Sequence, residues 1–220
     1  MQPSAALNLS RYEFAETVAK EYGGTMPSKI VFDIGAGGDQ MRGKMSALGL
    51  DWYGFDLAPA CSNVQRWDID EKCTVRDMSP SIVLLLDVIE HCYNPGLAIA
   101  NIADIMPMGA LLILTTPNPR WSRSRLYALA TGYAACFTES DLHRNHHVFT
   151  PWPHVIEHLL TGAGFSIERY VTIDGAYGWP AFTLSPMYGV RIVHAAVNKL
   201  IEWYDTSACG MSYAVVARRN

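Results

Sequence analysis

No stretch of this 220-residue sequence carries the roughly 18 uninterrupted apolar residues that a membrane-spanning helix needs. The opening MQPSAALNLS also lacks the basic start and apolar block of a secretory leader, so the cytosol is the expected compartment. Cysteine is sparse: five residues (61, 73, 92, 136 and 209) are scattered without a CxxC pair, which suits reduced thiols acting as small buried hydrophobes. Positive charge is the minority sign, with 17 Lys and Arg against 21 Asp and Glu and a formal net charge of -4. A nucleic acid is therefore not the expected partner, because phosphate binding leans on clustered Lys and Arg. Internal repeats and low-complexity tracts are absent. What is present is a chain half of whose residues are hydrophobic, enough for one sizeable core and a single domain over residues 1–220.

The first 28 residues hold one expected helix. Ser10 and Glu13 fit a capping box, Phe14, Val18 and Tyr22 follow at helical spacing, and Gly23 and Gly24 end the segment. Residues 29–34 read as a strand, 40–48 as a short helix, 51–57 as a second strand and 64–68 as a weaker third. The runs IVLLL (82–86) and ALLIL (110–114) are continuously apolar, which implies burial on both faces in a parallel sheet. Between them Asn94 caps and Pro95 opens a helix with Ala98, Ile102 and Ile105 inward. Thr150 and Pro151 start another helix, Gly162 and Gly164 stop it, and 165–173 and 211–217 are late strands. Strands alternating with helices give an α/β, Rossmann-like, doubly wound sheet of seven mostly parallel strands with helices on both faces. Two segments exceed that plan, 120–149 and 175–210. Both join the sheet near strand ends, where open α/β folds bind ligands, so they are expected to form substrate or lid elements.

VFDIGAGGD (31–39) is a glycine turn between strand and helix, which brings backbone N–H groups close to a ligand. A dinucleotide fingerprint would need glycine at 40, where the chain has Gln40. Asp33 beside the turn repels a pyrophosphate and attracts an ammonium or sulfonium. Asp56 ends the next strand, where such folds place a carboxylate against ribose hydroxyls. A ligand with a ribose, a positive charge and no phosphate is S-adenosylmethionine.

At this point the sequence resembles the class I S-adenosylmethionine-dependent methyltransferases. VFDIGAGGD is similar to their first motif, YGFDL to their second, and LLLDVIEHCYNP followed by ALLILTTPNP to their fourth and fifth. The D-V-I-E-H block and HVFTPWPHVIEHLLTGAGF resemble the subgroup that contains the quinone-biosynthesis O-methyltransferases. The resemblance implies that Asp33 meets the amino group of the cofactor's methionine part and that Gly35 and Gly37 give the backbone approach. It further implies that Asp56 and the adjoining Leu57 meet the ribose side, that Asp68 or Ile69 lies near the adenine, and that Asp87 lines the methionine side.

A hydroxyl acceptor also needs a base, for which histidine is the usual choice. His91, just past a strand end, is the first candidate and His147, in the first insertion, the second; His143 and His146 lie beside it. Asp87, Glu90 and His91 match an acidic-acidic-His set that binds a divalent ion in some quinone O-methyltransferases. The same letters serve capping and packing in many relatives, so no metal is assigned. His154 and His158 lack the H-E-x-x-H pattern and are read as surface or packing residues. An N-P-P-Y sequence is absent after the fourth strand, which disfavours adenine or glutamine nitrogens as acceptors. PRWSRSR (119–125) offers three arginines either to an anionic group on the acceptor or to solvent.

In the last insertion Tyr177, Trp179, Phe182, Met187 and Tyr188 precede Val190, Val193, Val197, Leu200 and Ile201 at helical spacing. The plain expectation is a helix packed on the domain's own core. The alternative is an arm whose apolar face meets a lipid-linked acceptor, a membrane surface or a second subunit. The expected activity is methyl transfer to a small or lipid-linked acceptor, at a hydroxyl oxygen. Its rivals are a nicotinamide oxidoreductase, against which Gln40 and Asp33 speak, and a module that binds the cofactor without transferring methyl groups.

Overall fold

The computed structural model describes residues 1–73, 75, 78–175, 181–183, 185 and 187–220. Along the chain the elements are β1 (Ala5–Ala6), α1 (Arg11–Tyr22), β2 (Ile30–Ile34), α2 (Arg42–Ala47), β3 (Asp51–Asp56), β4 (Val64–Arg66), β5 (Ile82–Leu86), α3 (Pro95–Ile105), β6 (Leu111–Pro117), α4 (Ser122–Thr131), α5 (Glu139–Asn145), α6 (Pro153–Gly162), β7 (Phe165–Ile173), α7 (Tyr188–Tyr204) and β8 (Ser212–Arg219). All strands join one sheet in the order β1-β7-β8-β6-β5-β2-β3-β4. Every neighbouring pair is parallel except those made by β8, which runs antiparallel to β6 and β7.

The apolar run of β5 shows why the sheet is central. Ile82, Leu84 and Leu86 join Phe14 and Val18 of α1 and Met45 of α2 on one face, while Val83 and Leu85 join Ile99 and Ile102 of α3 and Ile156 and Leu160 of α6 on the other. Strand side chains alternate between faces, so a strand buried on both must be apolar at every position. The expected doubly wound fold is therefore present, with one correction to its strand count. Among the described residues eight strands replace seven, because Ala5 and Ala6 pair with Val171 and Thr172 at the sheet edge. A two-residue strand has no periodicity to read; flanking bonds from Ser4 N–H to Tyr170 O and from Leu7 N–H to Thr172 O, both 2.8 Å, hold it.

Local signals held at two helix starts. Ser10 and Glu13 form the reciprocal capping box of α1, and the Asn94 side chain accepts the Leu97 N–H at the start of α3. At α6 the start lies later than Thr150 and Pro151: Pro153 is the residue that takes the first helical turn. The 120–149 segment folds as α4 and α5. In the 175–210 segment Tyr177 and Trp179 lie outside the described residues, and α7 departs from the expected core packing. Its sole buried residue is Asn198, whereas Val190, Val193, Val197 and Leu200 are exposed.

Candidate functional site

Strands β2 and β5 lie side by side, and the chain leaves them in opposite directions, towards β3 and β4 from one and towards β6 from the other. Crevices at such a switch point, outside the carboxyl ends of the strands, are where open α/β sheets hold ligands. The residues singled out in β2, β3, β5 and their following loops meet there.

Asp33, near the end of β2, is buried and accepts a 3.0 Å hydrogen bond from Trp52 Nε1. Burial pushes its carboxyl up to about 7, against the lowering effect of that bond, and nearby Asp56 pushes the same way. Among the described residues no cation offsets the charge of Asp33. Gly35 then takes φ +73°, and a side chain there would meet Val88 Cγ2 at 2.3 Å. Glycine is required at that point both for the left-handed turn and for the close approach of the next strand's loop. Gly37 takes φ +61° with open space where a side chain would project. The turn is pinned by Gly35 N–H and Ala36 N–H, which both donate to Phe55 O at 2.8 and 3.0 Å.

Asp56, ending β3, organises the other side of the turn. Its Oδ2 accepts from Gly37 N–H at 2.7 Å and its Oδ1 from Ala58 N–H at 2.8 Å. An ionised carboxylate has about four lone-pair sites, so acceptor capacity is left for a ligand. Leu57 beside it is exposed. Asp68 accepts from Asp70 N–H at 3.0 Å, and the carbonyl of Ile69 accepts from Asn101 Nδ2 at 2.8 Å, which ties this loop to α3.

Asp87 follows β5 at φ +56°, a left-handed backbone that Asp tolerates better than most side chains. Thr115 Oγ1 donates to Asp87 Oδ1 at 2.7 Å, and Arg11 of α1 forms an ion pair with its other oxygen. Glu90, in the 3-10 turn Ile89–His91, is buried and accepts from Thr116 Oγ1 at 2.9 Å. Burial, reinforced by Asp87, pushes its carboxyl up to about 8. The Glu90 carbonyl accepts from Val148 N–H and Phe149 N–H at 3.0 and 3.1 Å, and so draws the end of the 120–149 segment over the turn.

That segment brings the two histidines together. The rings of His91 and His147 stand 4.9 Å apart at 70°. His91 Nδ1–H donates to His146 O at 3.3 Å and His147 Nδ1–H to Cys136 O at 2.6 Å. A carbonyl can only accept, so both rings carry their proton on Nδ1 and present Nε2 as a base or metal ligand. Packing and the charge of His147 lower the pKa of His91. Glu90, His91 and His147 each offer one ligand atom, all within 4.8 Å of one another. This differs from the Asp87, Glu90, His91 spacing in the sequence, because Asp87 is engaged by Arg11 and Thr115 while His147 takes the third place.

The other histidines separate: His143 is on α5, and His154 and His158 are exposed on α6. Two of the three arginines of 119–125 are spent inside the protein, since Arg120 and Arg125 pair with Asp205 at 3.2 and 2.6 Å. Sequence reading missed Arg11, Trp52 and Thr115, whose partners lie on other elements. Only Arg11, a basic residue directly after the Ser10 cap, carried a local signal.

The model of one family, described as a methyltransferase domain, matches residues 10–170. A ubiquinone biosynthesis O-methyltransferase of Bradyrhizobium sp. (strain ORS 278) is 26% identical over 135 residues, covering 55% of this chain and 53% of that protein. The chain thus spans about half the length of that curated relative. Among solved structures, a SAM dependent methyltransferase from Archaeoglobus fulgidus superposes with a TM-score of 0.59 at 18% identity, covering 94% of both chains. The [4+2]-cyclase SpnF superposes with a TM-score of 0.61 at 15% identity, covering 94% of this chain and 81% of its own. At these identities the two structures speak for the fold.

Proposed function

The chain belongs to the methyltransferase-domain family, in its class I S-adenosylmethionine-dependent form, and we propose that it methylates a hydroxyl oxygen of a small or lipid-linked acceptor. The observation that carries the reading is the cradle of buried Asp33, the left-handed glycines 35 and 37, and Asp56 at the carboxyl ends of β2 and β3. A buried carboxylate without a cation partner fits a cationic ligand and disfavours a phosphate. S-adenosylmethionine supplies, when bound, an electrophilic methyl carbon attached to a leaving sulfur. Asp33 holds its ammonium group, Asp56 with the adjoining Leu57 meets the ribose side, and Asp68 or Ile69 lies near the adenine. Asp87 lines the methionine end.

The protein's own part in the transfer is alignment, exclusion of water and removal of one proton. His91 Nε2 takes the hydroxyl proton as the acceptor oxygen bonds to the methyl carbon, and His146 O keeps the ring in the tautomer that can do so. His147 packs on His91 and is the second candidate base. The trio can instead hold a divalent ion, but Glu90 would first have to release a proton that burial favours. The reading therefore assigns the base role and no metal. Oxygen as the acceptor atom rests on that pair and on the names of the relatives.

The test is incubation with methyl-labelled S-adenosylmethionine and hydroxylated aromatics, with and without an isoprenoid tail, followed by product analysis. Label on an ether oxygen is expected. Turnover without label would instead favour a methyl-free reaction, as the name of the [4+2]-cyclase neighbour shows this fold to allow.

A further inference from the structure

Helices α4 and α7 are packed the wrong way round for a water-exposed arm. Their mutual face is polar. Ser122 Oγ donates to Glu202 Oε1 at 2.8 Å and Arg125 pairs with Asp205, just past the end of α7, at 2.6 Å. The buried residues of α4 are Ser122 and Ser124, and that of α7 is Asn198. The outward faces are apolar. Along α7, Val190, Val193, Val197, Leu200 and Tyr204 recur at helical spacing and are exposed, Val193 and Leu200 by 62% each. Leu129 of α4 is 85% exposed, and Trp203 and Tyr204 end the stripe at 81% and 86%. A scattered exposed leucine needs no explanation, but a continuous stripe opposite a polar seam does.

Charge says what covers it. Residues 119–133 and 187–205 hold five basic side chains (Arg120, Arg123, Arg125, Arg191, Lys199) and two acidic ones (Glu202, Asp205) on a chain of net charge -4; Arg120 and Arg125 share Asp205 and Lys199 pairs with Glu202 at 2.9 Å, which leaves these segments a net excess of three positive charges. An apolar stripe with a local positive excess and Trp and Tyr at its end has the composition of a helix that lies in a lipid headgroup layer. Among the described residues no helix is long and apolar enough to cross a membrane, so the arm would lie on the surface.

We propose that the α4–α7 arm docks this protein on an anionic membrane surface, with Val193, Leu200 and Trp203 inserted among the acyl chains and Arg191 and Lys199 at the headgroups. A second copy of the chain fits less well, because two such faces would bring their positive excesses together. The proposal does not depend on methyl transfer; if the acceptor is lipid-linked, the same surface would also present it.

The experiment is flotation of the full chain with vesicles of phosphatidylcholine alone and of phosphatidylcholine with phosphatidylglycerol, at low and high salt. The wild type should float with the anionic vesicles, less so in high salt and least with phosphatidylcholine alone. Val193→Glu with Leu200→Glu should reduce flotation by about tenfold or more, as each places a charge where acyl chains are expected. Circular dichroism checks that this variant is folded; if it is not, Trp203→Ala with Tyr204→Ala is the substitute and should weaken flotation in the same direction. Failure to float with anionic vesicles overturns the proposal, as does flotation unchanged in a folded variant. A stable dimer in light scattering that the paired glutamates dissociate would assign the face to a second copy and overturn it equally.

Discussion

Arg11, in the first turn of α1, forms an ion pair with Asp87, which follows β5 in a left-handed backbone conformation 76 residues along the chain. The pair fastens the N-terminal helix across the end of the sheet at which the cofactor cradle opens. Arg11 Nε is itself buried with no hydrogen-bond partner. An unpaired buried donor beside Asp87 would suit, in the proposed complex, the carboxylate of the cofactor's amino acid part.

Replacing Arg11 by Ala should therefore cost more in cofactor binding than in stability. The Arg11 side chain as a whole is over a third exposed, so loss of the ion pair should lower stability by at most about 1 kcal/mol. Affinity for S-adenosylmethionine should fall by about 1.5–3 kcal/mol, the worth of a hydrogen bond to a charged group. Calorimetry beside a melting curve separates the two, and equal losses in both would assign Arg11 a structural role only.

Asp33 predicts a pH dependence of definite sign. Its folded value of about 7 lies above the ordinary 3.8, so the folded state holds a proton that the unfolded state has released between those values. Stability from this group is full below 3.8 and is lost as pH rises to about 7. Asp33→Asn should then be more stable than wild type above that pH, by roughly 2–4 kcal/mol, while binding the cofactor poorly. Binding of a cation to wild type near pH 6 should release a proton, visible as a binding enthalpy that varies with the ionisation enthalpy of the buffer. Identical melting of the two proteins across pH 5–8.5 would show that the burial of Asp33 costs nothing.

Asp56→Asn and Asp56→Ala should differ. In the proposed complex both lose the charge assigned to the ribose, which should weaken cofactor binding by about 1.5–3 kcal/mol. Asn keeps one oxygen for Gly37 N–H or Ala58 N–H, whereas Ala leaves both donors of the turn unbonded and should lose about 1 kcal/mol more in stability. Full affinity in a folded Asp56→Ala protein would remove Asp56 from the site.

His91→Ala should lower kcat on the order of a hundredfold or more while leaving KM near its wild-type value, as expected for a general base. His147→Ala should have the smaller effect. Prolonged dialysis against a chelator should leave the rate intact. A rate abolished by chelation and restored by zinc or magnesium would convert Glu90, His91 and His147 from a base and its neighbours into a metal site.

Much of this architecture was written locally. The capping box at Ser10 and Glu13, the Asn94–Pro95 helix start and the apolar runs of β5 and β6 each depend on residues within a few positions, and each is found as the pattern implies. The glycine turn was equally legible, since φ above zero at 35 and 37 is a demand that glycine alone meets freely. What the sequence hid depends on distant partners. Ala5–Ala6 is a strand only because β7 accepts it, Arg11 finds Asp87 across the sheet, and His147 reaches His91 because the Glu90 carbonyl holds residues 148 and 149. The period of α7 announced an apolar face without saying whether it looks inward, and Asn198 turns inward instead.

The most direct measurement is calorimetric titration of the folded protein with S-adenosylmethionine, S-adenosylhomocysteine and NADH. The account predicts saturable binding of the first two in the micromolar range, weakened by about tenfold or more in Asp56→Asn, and no heat with NADH. A folded protein that binds neither sulfur compound, or that binds NADH in their place, would contradict it.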